Sequence, residues 1–541
     1  MTTITLYGGV NEIGGNQIFI HDQSTTAVFD FGERSDVYNK YFRGNLRPRR
    51  AYGLKDYIEL QLIPWVSGLY RNDLIKLAGL DTHEAPSIDG IVVSHSHPDH
   101  DAYIPLIDHR VPIYCHADTL RMIQAIQTVS KGTPNGSMTT FVEKTPLPDI
   151  EVTVRRRDRK TRQIVTEQKK LSELTPFTIP RKFPSSIGTI EINYVARPQH
   201  DEIYSLSDSG TKKERLFYKS YRRDFITSKN KKPFKIGSIE IEPYPIDHCD
   251  GATAFIIHTS DTTLAYTGDI RMHGQYAQWT RDFLEAARKA DIKQLFIEGT
   301  RMGDTEAKSE FDVERELEAV LQSNDGSKGV IADLSWIDLE RLSIFRRVGA
   351  RNDRQVVLPP KNAAFFYHMR IGSLRGKEPD ELTKNNMPKV YKLKKRYDRP
   401  TDYSGFERSV YNKFDVVDDE EIMRNPGKYI ACVSYSQIPE LIDFKPPQGS
   451  LLVQSKPPAW DRESQAVEEV LHNWGEKFSL KPKRIHTHHH APQQDLVEMV
   501  KTIRPKQTIP IHTQNPTLYR DLIKDFTEVR FAERGKPIEI N

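Results

Sequence analysis

The sequence predicts an α/β fold. Short apolar runs alternate with helical patterns toward both ends of the chain, and no internal repeat is present. Hydrophobic residues make up 37% and charged residues 28%, the balance of a folded enzyme rather than a disordered chain. The first clear strand is Ile91–Val93, a continuous run of branched apolar residues. Strands at Thr263–Thr267 and Gln294–Ile297 bracket a helix at Arg281–Ala290. A helix at Val313–Gln322, a strand at Gly329–Asp333, a helix at Asp338–Val348 and a strand at Gln355–Leu358 follow in turn. Strands at Ile430–Tyr435 and Leu451–Gln454, helices at Ala466–Trp474 and Asp495–Ile503, and a strand at Thr508–His512 complete the pattern.

At 541 residues, length alone implies roughly three domains. No stretch is apolar enough to span a membrane, and the N-terminus lacks a basic and apolar export signal. The three cysteines, Cys115, Cys249 and Cys432, are too few for a disulfide framework and suit a reducing, cytoplasmic location. Net charge is only +4, so the distribution of charge matters more than its sum.

Chemistry concentrates in Ser94-His95-Ser96-His97-Pro98-Asp99-His100, which leaves the first strand. Three imidazoles and a carboxylate at this spacing predict a dinuclear metal site. His95 and His97 can point at one ion, Asp99 and His100 at a second. Imidazole with carboxylate suits zinc first and manganese second, and excludes an all-oxygen calcium site. Further ligands are sought where α/β enzymes place chemistry, at strand ends. His248 can complete the first ion, Asp269 can bridge both, and His512 can complete the second. Cys249, beside His248, reads as a small buried thiol rather than a thiolate ligand.

The segment 134–235 reads as a basic strand-and-loop insertion. Residues 155–170 carry eight cations against two carboxylates, and residues 212–235 carry ten against two. Phe217, Tyr218, Tyr221 and Phe225 interleave with the second cluster, among them Lys219, Arg222 and Arg223. Cations for phosphates and aromatic faces for bases predict a single-strand nucleic-acid platform. A third patch joins Arg43, Arg47, Arg49 and Arg50 to Tyr41, Phe42 and Tyr52.

In its motifs and their order the chain resembles a metallo-β-lactamase-fold hydrolase, and more specifically the β-CASP nucleases, the group of ribonuclease J and the mRNA 3′-processing endonucleases. Gly8-Gly9-Val10-Asn11-Glu12-Ile13-Gly14-Gly15-Asn16 resembles that group's N-terminal signature, and Phe29-Asp30-Phe31-Gly32 the fold's first motif. Ile297-Glu298-Gly299-Thr300 resembles motif A, His490-Ala491 with Gln494-Asp495 motif B, and Ile509-Pro510-Ile511-His512 motif C. The likeness is to the shorter, archaeal-type ribonuclease J proteins, since the chain ends soon after motif C.

The resemblance implies a metallo-β-lactamase αββα sandwich with an inserted β-CASP α/β domain. The sandwich would span 1–300, with the basic insertion at 134–235; the β-CASP domain would span 301–455; residues 456–541 would return to the sandwich. It implies a ribonuclease, exo- or endonucleolytic, hydrolysing single-stranded RNA through a hydroxide activated by two divalent cations. Asp99, Asp269, His490, Glu298 and Asp30 would be its catalytic set. His490 would be the acid or fix the scissile phosphate; Asp30 and Glu298 would orient imidazoles.

Two departures stand out. Ribonuclease J proteins commonly have Ser-Gly before the motif B histidine, where this chain has His488-His489, so His488 is a candidate phosphate contact and a 5′-monophosphate preference is open. Gln514 stands where short relatives tend to have Glu. A DNA nuclease, a lactone or thioester hydrolase, a non-catalytic nucleic-acid scaffold, and assembly into homo-oligomers stay open at this level.

Overall fold

The computed structural model describes residues 1–130, 137–146, 151–157, 164–170, 204–207, 216–306, 308–370, 387–459 and 462–539. Two seven-stranded sheets face each other. The first runs Phe225–Ser228, Ile113–His116, Gly90–Val93, Thr25–Phe29, Gln17–Asp22, Thr3–Gly8, Pro537–Glu539 in spatial order. The second runs Phe234–Ile236, Ile239–Pro245, Thr253–His258, Thr263–Tyr266, Gln294–Ile297, Gln507–Pro510, Glu528–Val529. Their facing sides share one core: Ile4, Ile20 and Phe29 from the first pack with Ile241, Phe255 and Ile509 from the second. Strand alternation explains this, because one face of Ile239–Pro245 is buried while the other is half-buried. On the outer face of the second sheet lie the helices Ala277–Lys289, Gln493–Ile503 and Pro516–Ile523, which bury Phe283, Leu496 and Tyr519.

A third seven-stranded sheet is parallel throughout, in the order Val416–Val417, Lys389–Tyr391, Gln355–Leu358, Tyr429–Cys432, Val330–Leu334, Leu451–Ser455, Lys481–Arg484. It is apolar on both faces, as a sheet covered on both sides requires. Helix Ala117–Val129 of the first unit packs Met122 and Ala125 against Phe365 and Met369 of this one.

The mixed α/β class is as expected. The sheets reclaim the chain at Phe225, ahead of residue 235, because Phe225–Ser228 pairs in parallel with Ile113–His116 and Phe234–Ile236 pairs with Ile239–Ile241. The third sheet also runs past 455. Lys481–Arg484 pairs with Leu451–Gln454 as an edge strand; all four of its residues are exposed, so it carries no apolar signal. Residues 158–163 and 212–215, and the side chains of the remaining residues in 155–170 and of Phe217, Tyr218 and Lys219, lie outside the described residues.

Candidate metal centre

The strand Gly90–Val93 is buried at every position and delivers Ser94–His100 to the seam between the two facing sheets. Pro98 begins the short helix Pro98–Asp101, where its missing N–H costs nothing. Two glycine motifs are moulded onto this turn. A Cβ on Gly32 would stand 1.7 Å from the Asp99 carbonyl oxygen, and one on Gly14, at φ +78°, would stand 2.7 Å from the Asp99 carboxylate. Two non-glycine residues of the site, Asp30 (φ 56°) and His512 (φ 52°), hold left-handed backbone, a cost that persists where the surroundings fix it.

The predicted ligands converge. His95 Nε2 is 3.1 Å from His97 Nδ1, which is 3.2 Å from His248 Nε2. His512 Nε2 is 3.0 Å from Asp99 Oδ2. Asp269 sits between the two groups: its Oδ2 is 3.2 Å from His100 Nε2, 3.5 Å from His95 Nε2 and 3.6 Å from His248 Nε2, and its Oδ1 is 3.5 Å from His512 Nε2. Donor atoms of His95, His97, His248 and Cys249 all lie within 4.8 Å of one another, as do those of Asp99, His100, Asp269 and His512.

The other ring nitrogens are held from behind. Asp30 Oδ2 accepts from His100 Nδ1 at 2.7 Å and from the Ser94 hydroxyl at 2.7 Å, with the Tyr266 hydroxyl also donating. The His489 carbonyl accepts from His248 Nδ1 at 2.7 Å, and the Thr300 hydroxyl lies 2.9 Å from His512 Nδ1. Such contacts aim the opposite nitrogen and raise its basicity toward a cation.

The donor set fits metal. Nitrogen ligands of a tetrahedral zinc stand about 3.3 Å apart when bonds are ~2.0–2.1 Å, which is the spacing found here. Asp269 Oδ1 is buried and lacks a hydrogen-bond partner among the described residues, and the buried His100 Nε2 faces Asp269 Oδ2 at 3.2 Å and Asp99 Oδ2 at 3.7 Å. Burial, then His95, pushes His97 down to about 3, and burial holds His248 well below its ordinary value, so both present bare lone pairs. Burial opposes protonation of His512 as well, but the Asp269 and Asp99 carboxylates outweigh it and hold the ring up at about 9. Buried carboxylates call for cations of some kind.

The loop 486–490 follows the edge strand and closes over the site. His490 Nδ1 is 3.0 Å from Glu298 Oε1, and its Nε2 is 3.9 Å from Asp269 Oδ2. Both ring nitrogens of His489 face acceptors, Asp338 Oδ2 at 2.9 Å and the His248 carbonyl at 3.2 Å, so this ring is committed to holding the loop. The His488 carbonyl accepts from His273 Nε2 at 2.7 Å and Arg271 at 3.3 Å. Arg271, fully buried, donates to Glu310 at 2.9 Å and Glu340 at 2.8 Å; Arg341 binds Glu310 at 2.8 Å and the Thr487 carbonyl at 3.3 Å. These charges tie the third-sheet unit to the candidate site. No sequence signal marked them. Between the units lies a cleft of about 220 Å³, walled by His97, His248, Cys249, Ser335, Lys456 and His488. Burial, then Arg301, pushes His488 down to about 4, so it faces the cleft uncharged near neutrality.

The expected nucleic-acid residues divide. Arg43, Arg47, Arg49 and Arg50 are exposed, with Tyr41 and Tyr52 43% exposed and the Arg49 guanidinium 4.0 Å from the Tyr52 ring centre. Burial, then the Asp99 charge, pushes Glu33 up to about 7, and Arg47 opposes it. Arg222 is exposed. Arg223 corrects the expectation. It is 2% exposed, donates to the Ile107 carbonyl at 2.6 Å and the Pro105 carbonyl at 2.9 Å, and lies over Phe141. Tyr221 stacks on Phe141 as well, so this part of the cluster packs inward.

Residues 479–532 match the family model of the RMMBL domain, described as a Zn-dependent metallo-hydrolase RNA specificity domain. That segment carries the edge strand, the 486–490 loop and His512. No curated protein matches the chain. Among solved structures, a protein of unknown function from Enterococcus faecalis V583 is similar in fold, with a TM-score of 0.65, 21% identity and coverage of 100% of both chains. The matched segment supports a metal-dependent hydrolase, zinc-dependent and with RNA as the indicated partner. No helix among the described residues is long and apolar enough to cross a membrane.

Proposed function

We propose that the protein is a ribonuclease of the metallo-β-lactamase, β-CASP type, hydrolysing phosphodiester bonds of single-stranded RNA. In this reading the two facing sheets form the metallo-β-lactamase sandwich and the third-sheet unit is the β-CASP domain. The observation that carries it is the convergence of His95, His97, Asp99, His100, His248, Asp269 and His512 at the edge of a cleft that also holds His490.

Two divalent cations, zinc first, would supply Lewis acidity toward the phosphate and a nucleophile from water at neutral pH. His95, His97 and His248 would hold one, Asp99, His100 and His512 the other, with Asp269 between them. Asp30 aims His100. His490 faces the cleft from the Asp269 side, where its Nε2 can pass a proton to the departing ribose oxygen. Glu298 fixes that ring: its Oε1 faces His490 Nδ1, and it also accepts from the Ile270 and Thr300 amides. The exposed Arg43 patch and Arg222 would guide the strand, and neutral His488 would contact it by hydrogen bond alone.

RNA is favoured over DNA by the description of the matched domain; DNA hydrolysis by the same groups is the second reading. The test is cleavage of end-labelled single-stranded RNA and DNA with 5′-hydroxyl, monophosphate or triphosphate ends. RNA cleavage that disappears in Asp99→Ala and His490→Ala supports the proposal. Cleavage unaffected by both changes would refute it.

A further inference from the structure

We propose that Cys249 is a ligand of the cation held by His95, His97 and His248. The inference rests on the dinuclear reading above and adds a sulfur donor to it.

The geometry is that of a four-donor cluster. The Cys249 sulfur and the three imidazole nitrogens lie within 4.8 Å of one another. Cys249 directly follows His248, past the end of strand Ile239–Pro245, so the backbone that presents one ligand presents the other. It is half-buried and lines the cleft beside His97 and His248. The His489 carbonyl takes the Nδ1 hydrogen of His248, so the Nε2 beside the sulfur is a bare lone pair.

Chemically, a zinc–sulfur bond of ~2.3 Å is longer than the ~2.0–2.1 Å of zinc–nitrogen, so sulfur ligates from slightly further out. Ligation breaks the S–H bond, forms a sulfur–metal bond and releases one proton to solvent; nothing is oxidised or reduced. Three nitrogens and a thiolate select zinc over manganese, which prefers oxygen donors. Cys115 and Cys432 are each 2% exposed and sit in apolar cores, and neither shares a donor cluster with histidine among the described residues.

The test loads chelated full-length protein with cobalt(II). We expect near-ultraviolet thiolate-to-cobalt charge-transfer absorption in the wild type and its loss in both Cys249→Ser and Cys249→Ala. Zinc affinity of one site, read by competition with a chelator, should fall at least about tenfold, the scale that even an outer contact carries. Two variants, with circular dichroism of each, guard against misfolding of one. Two cobalt ions bound without the thiolate band, or a band that survives both substitutions, would overturn the inference while leaving the dinuclear reading intact. No cobalt uptake by the wild type would overturn both.

Discussion

The Nδ1 of His490 stands 3.0 Å from the Oε1 of Glu298, which places the opposite nitrogen of the ring toward Asp269. Burial alone would lower the affinity of this ring for a proton, but the Glu298 and Asp269 carboxylates outweigh it and raise it. A residue set to donate a proton would be held in this way. Glu298→Gln should lower kcat on RNA by about 10- to 100-fold, with KM and metal content unchanged. On a phosphodiester with a nitrophenolate leaving group, which departs without an acid, the His490→Ala defect should shrink. An equal defect on both substrates would count against the donor role.

Asp30 belongs to neither donor cluster, yet it accepts from His100 and Ser94. Asp30→Asn should weaken metal binding by about 10- to 100-fold, measured by chelator competition. Unaltered affinity would mean that His100 needs no orienting partner.

Arg271 is enclosed by Asp247, Glu310 and Glu340. Removing it takes a buried cation from these carboxylates, although Glu310 keeps Arg341. Arg271→Met should cost about 3–5 kcal/mol of stability in denaturant unfolding. A change within experimental error would show that the two units do not depend on this cluster.

Neighbouring arginines should behave differently. Arg43→Glu combined with Arg47→Glu should weaken single-stranded RNA binding and flatten its salt dependence, the slope falling by about 1 for each phosphate left without its cation. Arg223→Ala should instead lower the melting temperature and leave RNA affinity unchanged, because its guanidinium serves the Ile107 and Pro105 carbonyls. Reversed phenotypes would show the patch misassigned.

Much of the candidate site was legible because clustered donor side chains at strand ends leave a local trace. His95 to His100 follow one apolar strand within six residues, and Asp269 and His512 each follow another. What escaped was long-range charge pairing. Arg271 meets Glu310 and the His488 carbonyl across 39 and 217 positions, and an arginine that is buried looks in sequence like one that is not. Arg222 and Arg223 make the point as neighbours, one exposed and one enclosed. The edge strand Lys481–Arg484 escaped for the opposite reason: it buries nothing, so hydrophobic periodicity cannot find it.

Anomalous diffraction at the zinc edge, on crystals of zinc-loaded protein, tests the central claim most directly. Two peaks are predicted, one beside His95, His97 and His248 and one beside Asp99, His100 and His512, with Asp269 between them. A single peak elsewhere, or none at these side chains, would contradict it.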